Sequence, residues 1–158
     1  MKNHSVLFNL VLVLSVFACT SSSSERENKG TSTDTLSHSI SNTVIIPPES
    51  GVINVTLNNG EGNYIIRKRE DQIIYLTFDS EGDEELTAQI IPLDSNANVR
   101  FSQIIFPTGT MDGPFGREFT YHLNQDGEYQ LALHEDMMAG EPWDGEFVVK
   151  LHLQDLAD

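Results

Sequence analysis

From Val44 to Leu153 the apolar residues alternate with polar ones instead of recurring at helical spacing. This period of two restricts the possible folds more than any other feature of the chain. The alternation is clearest in Phe119/Tyr121/Leu123, Tyr129/Leu131/Leu133 and Phe147/Val149/Leu151/Leu153. It predicts strands over Val52–Leu57, Tyr64–Lys68, Ile73–Phe78, Leu86–Leu93, Phe101–Phe106, Glu118–Leu123, Glu128–Leu133 and Phe147–Leu153. Turn chemistry separates them at Asn58-Asn59-Gly60, Asp112-Gly113, Asp126-Gly127 and Asp144-Gly145, residue types that tolerate sharply turned backbone. No stretch shows helical periodicity, and no internal repeat goes beyond the strand spacing. About eight short strands at roughly ten-residue intervals predict an all-β fold, an antiparallel β-sandwich over residues 44–158. A span of about 115 residues suffices for one hydrophobic core and not for two.

The first 43 residues have a different character. Lys2, an apolar run from Val6 to Phe17 and the small Ala18 meet the requirements of a secretory signal. The run is broken by Asn9 and Ser15 and falls short of the roughly 20 apolar residues a membrane-spanning helix needs. Cys19 follows, and as the only cysteine it has no internal disulfide partner. With Val16 three residues before it and Ala18 just before it, the segment resembles a bacterial lipoprotein signal, in which the cysteine becomes the lipidated first residue. Phe17 is a mild departure from that pattern. The expected organisation is a signal peptide at 1–18, a lipidated Cys19 with a Ser/Thr-rich tether at 19–43, and the β-domain beyond. The tether has too few bulky apolar residues to offset the entropy of ordering it. The resemblance implies a membrane held through the lipid. Thr20, rather than an aspartate, after the cysteine points to the outer membrane and leaves its periplasmic and surface faces open.

From Val44 onward six Lys and Arg stand against twenty-one Asp and Glu, a formal charge of −15. Binding to nucleic acid needs a basic face, so that class of partner is excluded. A cationic protein or metal ion is the partner that such a field attracts.

Catalytic and metal-binding patterns are sparse. There is no Gly-x-Ser-x-Gly elbow, no His-Glu-x-x-His helix and no phosphate loop, so no enzyme activity and no cofactor are predicted. His122, His134 and His152 fall out of phase with the apolar positions and point outward. If Gln125-Asp126 closes a hairpin, His122 and His134 lie about five residues apart along it. That is roughly 16 Å, too far to share a zinc ion. The carboxylates of Asp79-Ser80-Glu81-Gly82-Asp83-Glu84-Glu85 and the oxygens of Asp94 to Asn98 suit calcium in kind. The second loop, however, has Val99 where a calcium loop needs glycine and lacks a closing bidentate glutamate. No metal site is predicted.

The segment from Glu135 to Gly145 joins the last two strands and carries the only tryptophan, Trp143, with Met137 and Met138. Loops on a rigid sandwich often hold binding residues. Trp and Met suit contact surfaces, while Trp143 folded back against the core is the alternative.

Two further stretches carry a family likeness. Asn63 to Phe78 looks like a strand, tight turn and strand opening; Asp126-Gly127-Glu128-Tyr129 with its alternating apolar sequel, then Phe147 to Leu151, looks like a closing signature. Both resemble pre-peptidase C-terminal domains and the periplasmic inhibitors of goose-type lysozyme, over most of residues 50–153. The likeness to the inhibitors implies a stand-alone, non-enzymatic sandwich that blocks a cationic wall hydrolase with its loops. Tyr64, Met137, Met138 and Trp143 are then the candidate partner-binding residues. The inhibitors tend to carry arginines after the Gly-x-Tyr motif, whereas this chain has Ala132, Met137 and Glu141. The expectation is a lipid-anchored envelope binding protein, with lysozyme inhibition as its sharpest form. A calcium- or carbohydrate-dependent adhesion module and a structural envelope lipoprotein stand as alternatives.

Overall fold

A computed structural model describes residues 43–156. The signal segment, Cys19 and the tether as far as residue 42 lie outside the described residues. Ten strands follow one another: β1 (Val44–Ile45), β2 (Val52–Asn54), β3 (Glu61–Lys68), β4 (Ile74–Ser80), β5 (Glu84–Pro92), β6 (Arg100–Ile105), β7 (Met111–Asp112), β8 (Glu118–Leu123), β9 (Gly127–His134) and β10 (Gly145–Asp155). They make two five-stranded sheets, in the orders β1-β3-β10-β5-β8 and β2-β4-β9-β6-β7. The first sheet turns Ile66, Leu86, Phe147 and Val149 inward; the second turns Leu76, Phe101, Leu131 and Leu133 against them. All eight are buried, and each contributes about 1.5–3 kcal/mol by leaving water.

The all-β sandwich is as expected, but its edges differ. Consecutive strands mostly reverse direction and change sheets, so β1 and β3 point the same way within one sheet, as do β2 and β4 in the other. Both pairs are therefore parallel, with Val44 beside Ile65 and Ile53 beside Leu76. The strands β1 and β7 have two residues each, too few to show alternation. The expected strand to Leu57 stops at Asn54, although Val55 N–H still donates to Thr77 O at 2.9 Å and Val55 stays buried.

The turn at Gln125-Asp126 closes no hairpin. It crosses between sheets: β8 pairs with β5, and β9 with β4 and β6. His122 consequently opposes Glu85 in one sheet and His134 opposes Arg100 in the other. At the Asn58–Glu61 turn, Asn59 and Gly60 both take positive φ (52° and 76°), which closes reciprocal N–H to O bonds between residues 58 and 61. A Cβ at Gly60 would lie 2.0 Å from Leu153 O, so no other residue fits.

This topology gathers the connections at 46–51, 69–73, 93–99, 113–117 and 135–144 at one end of the sandwich. The connections at 55–60, 81–83, 106–110 and 124–126 lie at the opposite end.

Candidate functional site

The β9–β10 loop is held from below by a charged pair inside the protein. Lys68 closes β3 in the same phase as Ile66, and Glu135 continues the inward phase of Leu131 and Leu133 just past β9. Both side chains are fully buried, and Lys68 Nζ donates to Glu135 Oε1. The ammonium also donates to Arg69 O at 2.8 Å. Glu135 Oε1 accepts the backbone N–H of Asp71 at 3.2 Å and of Trp143 at 3.4 Å. One carboxylate thus ties the β3–β4 turn to both feet of the loop. Burial by itself would push the Glu135 carboxyl up; the Lys68 hydrogen bond and charge, with the backbone donors, outweigh it and hold the carboxyl below its usual value.

Asn98 clamps the loop from the side. Its Nδ2 donates to Asp136 O at 3.2 Å and Glu141 O at 2.9 Å, and its Oδ1 accepts Asp136 N–H at 3.0 Å. Arg100 Nη1 meets Asp136 Oδ2 at 3.2 Å. The N–H groups of Ala139 and Gly140 both donate to Asp136 O, making a single tight turn. The two methionines project from it: Met137 is 55 % exposed and Met138 98 %. Trp143 is only 7 % exposed and joins the core, its ring 6.2 Å from that of Phe147. Gly145 leaves room for the indole, since a Cβ there would lie 2.0 Å from Trp143 Cζ2. A cleft of about 440 Å³ runs between this loop and the β5–β6 loop, edged by Asn96, Arg117, Glu141 and Trp143.

The four predicted binding residues therefore do not meet at one place. Met137 and Met138 form an exposed tip and Trp143 lies beneath it. Tyr64 packs half-buried against the core and donates its hydroxyl to Thr56 O at 2.6 Å, bracing the β2–β3 connection toward the opposite end. Burial raises its phenol above the usual value, partly offset by that bond. Lys68 and Glu135 were the residues sequence reasoning missed. Their signal was a charged side chain in an inward phase at the end of each of two strands.

Charge divides unevenly between the two ends. The loop end holds Arg67, Lys68, Arg69, Arg100 and Arg117; four of its acids are in ion pairs, Glu135 with Lys68, Asp136 with Arg100, and Asp144 and Glu146 with Arg67, while Glu49, Glu70, Asp71, Asp94 and Glu141 are in none among the described residues. No lysine or arginine occurs between residues 69 and 100 or between 117 and 150. The opposite end is accordingly acidic around Asp79, Glu81, Asp83, Asp126 and Glu128, and Asp79 stands directly across from Glu128. Like charges so placed repel, at roughly 0.2–1 kcal/mol. The suggested calcium oxygens serve their own turns. Glu84 accepts from Ser80 Oγ and from Glu81 N–H at 3.0 Å, and Asp94 Oδ1 accepts Asn96 N–H at 2.9 Å. Among the described residues no group of three or more His, Cys, Asp or Glu is placed to hold a metal ion.

These features define a small all-β sandwich that displays a braced loop. Among solved structures, its fold is similar to PliG of Aeromonas hydrophila, a periplasmic inhibitor of g-type lysozyme. The TM-score is 0.51 at 13 % identity, over 71 % of this chain and 100 % of that one. It is also similar to Salmonella Typhimurium PliG (TM-score 0.45, 14 % identity, 65 % of this chain and 98 % of that one). A mutant of Escherichia coli PliG gives a TM-score of 0.45 at 13 % identity, over 65 % and 97 % of the two chains. All three neighbours are named as periplasmic inhibitors of g-type lysozyme. No family model matches the chain, and no curated protein matches it in sequence.

Proposed function

We propose that this chain is a non-enzymatic binding protein of the bacterial cell envelope, anchored through lipid on Cys19, whose loop end blocks a cationic protein. A goose-type lysozyme is the candidate. The observation that carries the reading is the Met137–Met138 tip, two soft apolar side chains held in water on a loop fixed by a buried ion pair and an asparagine clamp. Exposed apolar groups on a rigid support mark contact surfaces, and methionine adapts to the shape it meets. The net charge of −15 supplies a long-range field that draws a cationic partner toward the domain, an effect that salt weakens. Trp143 acts from beneath as the loop's footing, and Tyr64 as a brace for the β2–β3 connection. Ala132 is buried, so a contact of the kind the inhibitors' arginines suggest has no counterpart there. In this chain that contact passes to the methionines.

The test adds the purified full-length chain to a cell-wall lysis assay with goose-type lysozyme at low and high salt. Lysis slows at low salt, the effect weakens as salt rises, and Met138→Glu removes it while leaving the melting temperature unchanged. Unaltered lysis at every salt concentration refutes the reading. Fractionation tests the anchor separately: Cys19→Ser moves the chain from the membrane to the soluble fraction.

A further inference from the structure

The outer face of the first sheet, remote from the methionine tip, bears a groove of about 320 Å³ whose floor is laid out by strand register. Asn63 on β3, Lys150 on β10, Gln89 on β5 and Glu118 on β8 stand side by side in one row. Glu61, His152 and Thr87 form the next row along the same strands. All are out of phase with the buried Val149, Leu151 and Ala88 and therefore face outward. On the other side the neighbouring row is apolar: Val44, Ile65, Val148 and Ile91, again on adjacent strands. Adjacent strands set these side chains about 4.8 Å apart.

We propose that this groove binds an uncharged oligosaccharide lying across the strands. The Asn63 amide, the Lys150 ammonium and the His152 ring make no hydrogen bond among the described residues, and Gln89 makes only a 3.5 Å contact to Glu118. They form a line of donors and acceptors suited to hydroxyl groups. The aliphatic row beside them matches the C–H face of a sugar ring. Other ligand classes fit worse. An acidic glycan or nucleic acid meets a domain of net charge −15 with Glu118 on the groove's rim. A peptide adding as a strand needs unpaired backbone, and β3, β10 and β5 are each paired on both sides. The site stands apart from the proposed protein contact, and neither depends on the other.

The experiment follows backbone amide resonances of the full-length chain titrated with chitotetraose, cellotetraose and tetragalacturonate. A neutral tetrasaccharide is expected to shift amides at 61–65, 87–91 and 148–152, with little dependence on salt. Asn63→Ala combined with Gln89→Ala removes two hydrogen-bonding side chains and weakens binding about tenfold or more. Lys150→Leu, at an exposed position without a partner, is the second variant should the first disturb folding, and it weakens binding in the same direction. The proposal is overturned if neither neutral probe shifts these amides, if tetragalacturonate binds in preference, if the shifts gather at the loop end, or if folded variants bind as well as the parent.

Discussion

Replacing either member of the Lys68–Glu135 pair is expected to destabilise the domain severely, and replacing both less so. Both side chains are fully buried, so Lys68→Met strands a carboxylate and Glu135→Leu strands an ammonium. Breaking a buried pair in this way typically costs about 3–5 kcal/mol. Against a total stability of roughly 5–15 kcal/mol for a domain, either change removes a large share. The combined variant has no stranded charge, but it still orphans the N–H groups of Asp71 and Trp143, which Glu135 now accepts, while Arg69 O, on an exposed residue, exchanges the ammonium for water. At about 1 kcal/mol for each such donor, the double variant loses about 2 kcal/mol, less than either single one. Urea unfolding measures this directly. With a slope of about 2 kcal/mol per molar, the single variants shift the midpoint down by about 2 M and the double by about 1 M. Single variants that each lose under about 1 kcal/mol, or a double variant that loses the sum of the two, would refute the coupling argued from these contacts.

Acid unfolding checks the same carboxylate. The folded value of Glu135 is depressed, so its contribution is complete above about pH 4.3, the ordinary glutamate value, and fades as pH falls through the folded value. Melting temperature followed from pH 7 to pH 2 should drop less steeply for Glu135→Gln than for the parent. At the alkaline extreme, burial holds the Tyr129 phenol above its usual value, so stability is present below about pH 10 and declines above it; Tyr129→Phe removes part of that decline in a thermal titration. Trp143→Ala empties a core site beside Phe147 and should cost about 3–5 kcal/mol by urea unfolding. Met138→Ala leaves stability within about 0.5 kcal/mol and weakens lysozyme inhibition about tenfold or more, read by lysis rate.

The main strands were legible because their inward residues alternate over long stretches: Phe147 to Leu153 reads unambiguously, and β8 spans the same residues that the pattern gives. Two-residue strands carry no period, which hid Val44–Ile45 and Met111–Asp112. Turn chemistry at Asp126-Gly127 announced a reversal but not whether the chain returned within its own sheet or crossed to the other. The pattern alone does not distinguish these, and the histidine positions shifted with it. In the candidate site, Met137 and Met138 were visible as apolar residues stranded in an acidic loop. The burial of Trp143 turns on the absence of a side chain at Gly145, a steric fact that appears only once the loop is folded.

The alternation of the chain between sheets has a consequence for how the domain comes into being. Among the described residues only β6 and β7 form a hairpin of consecutive strands; every other ladder there joins segments distant in sequence. The last strand, β10, occupies the middle of its sheet, zipped to β3 along eight residues and to β5 along nine. Without it, β3 and β5 lose the neighbour they share and half the core stands open. Loop-closure entropy must be overcome across most of the sandwich, from β3 to β10, before these contacts form, which makes assembly slow and close to all-or-none. Synthesis from the N-terminus therefore yields no stable fragment along the way. Until Asp155 emerges the first sheet lacks its central strand, and the native fold cannot close.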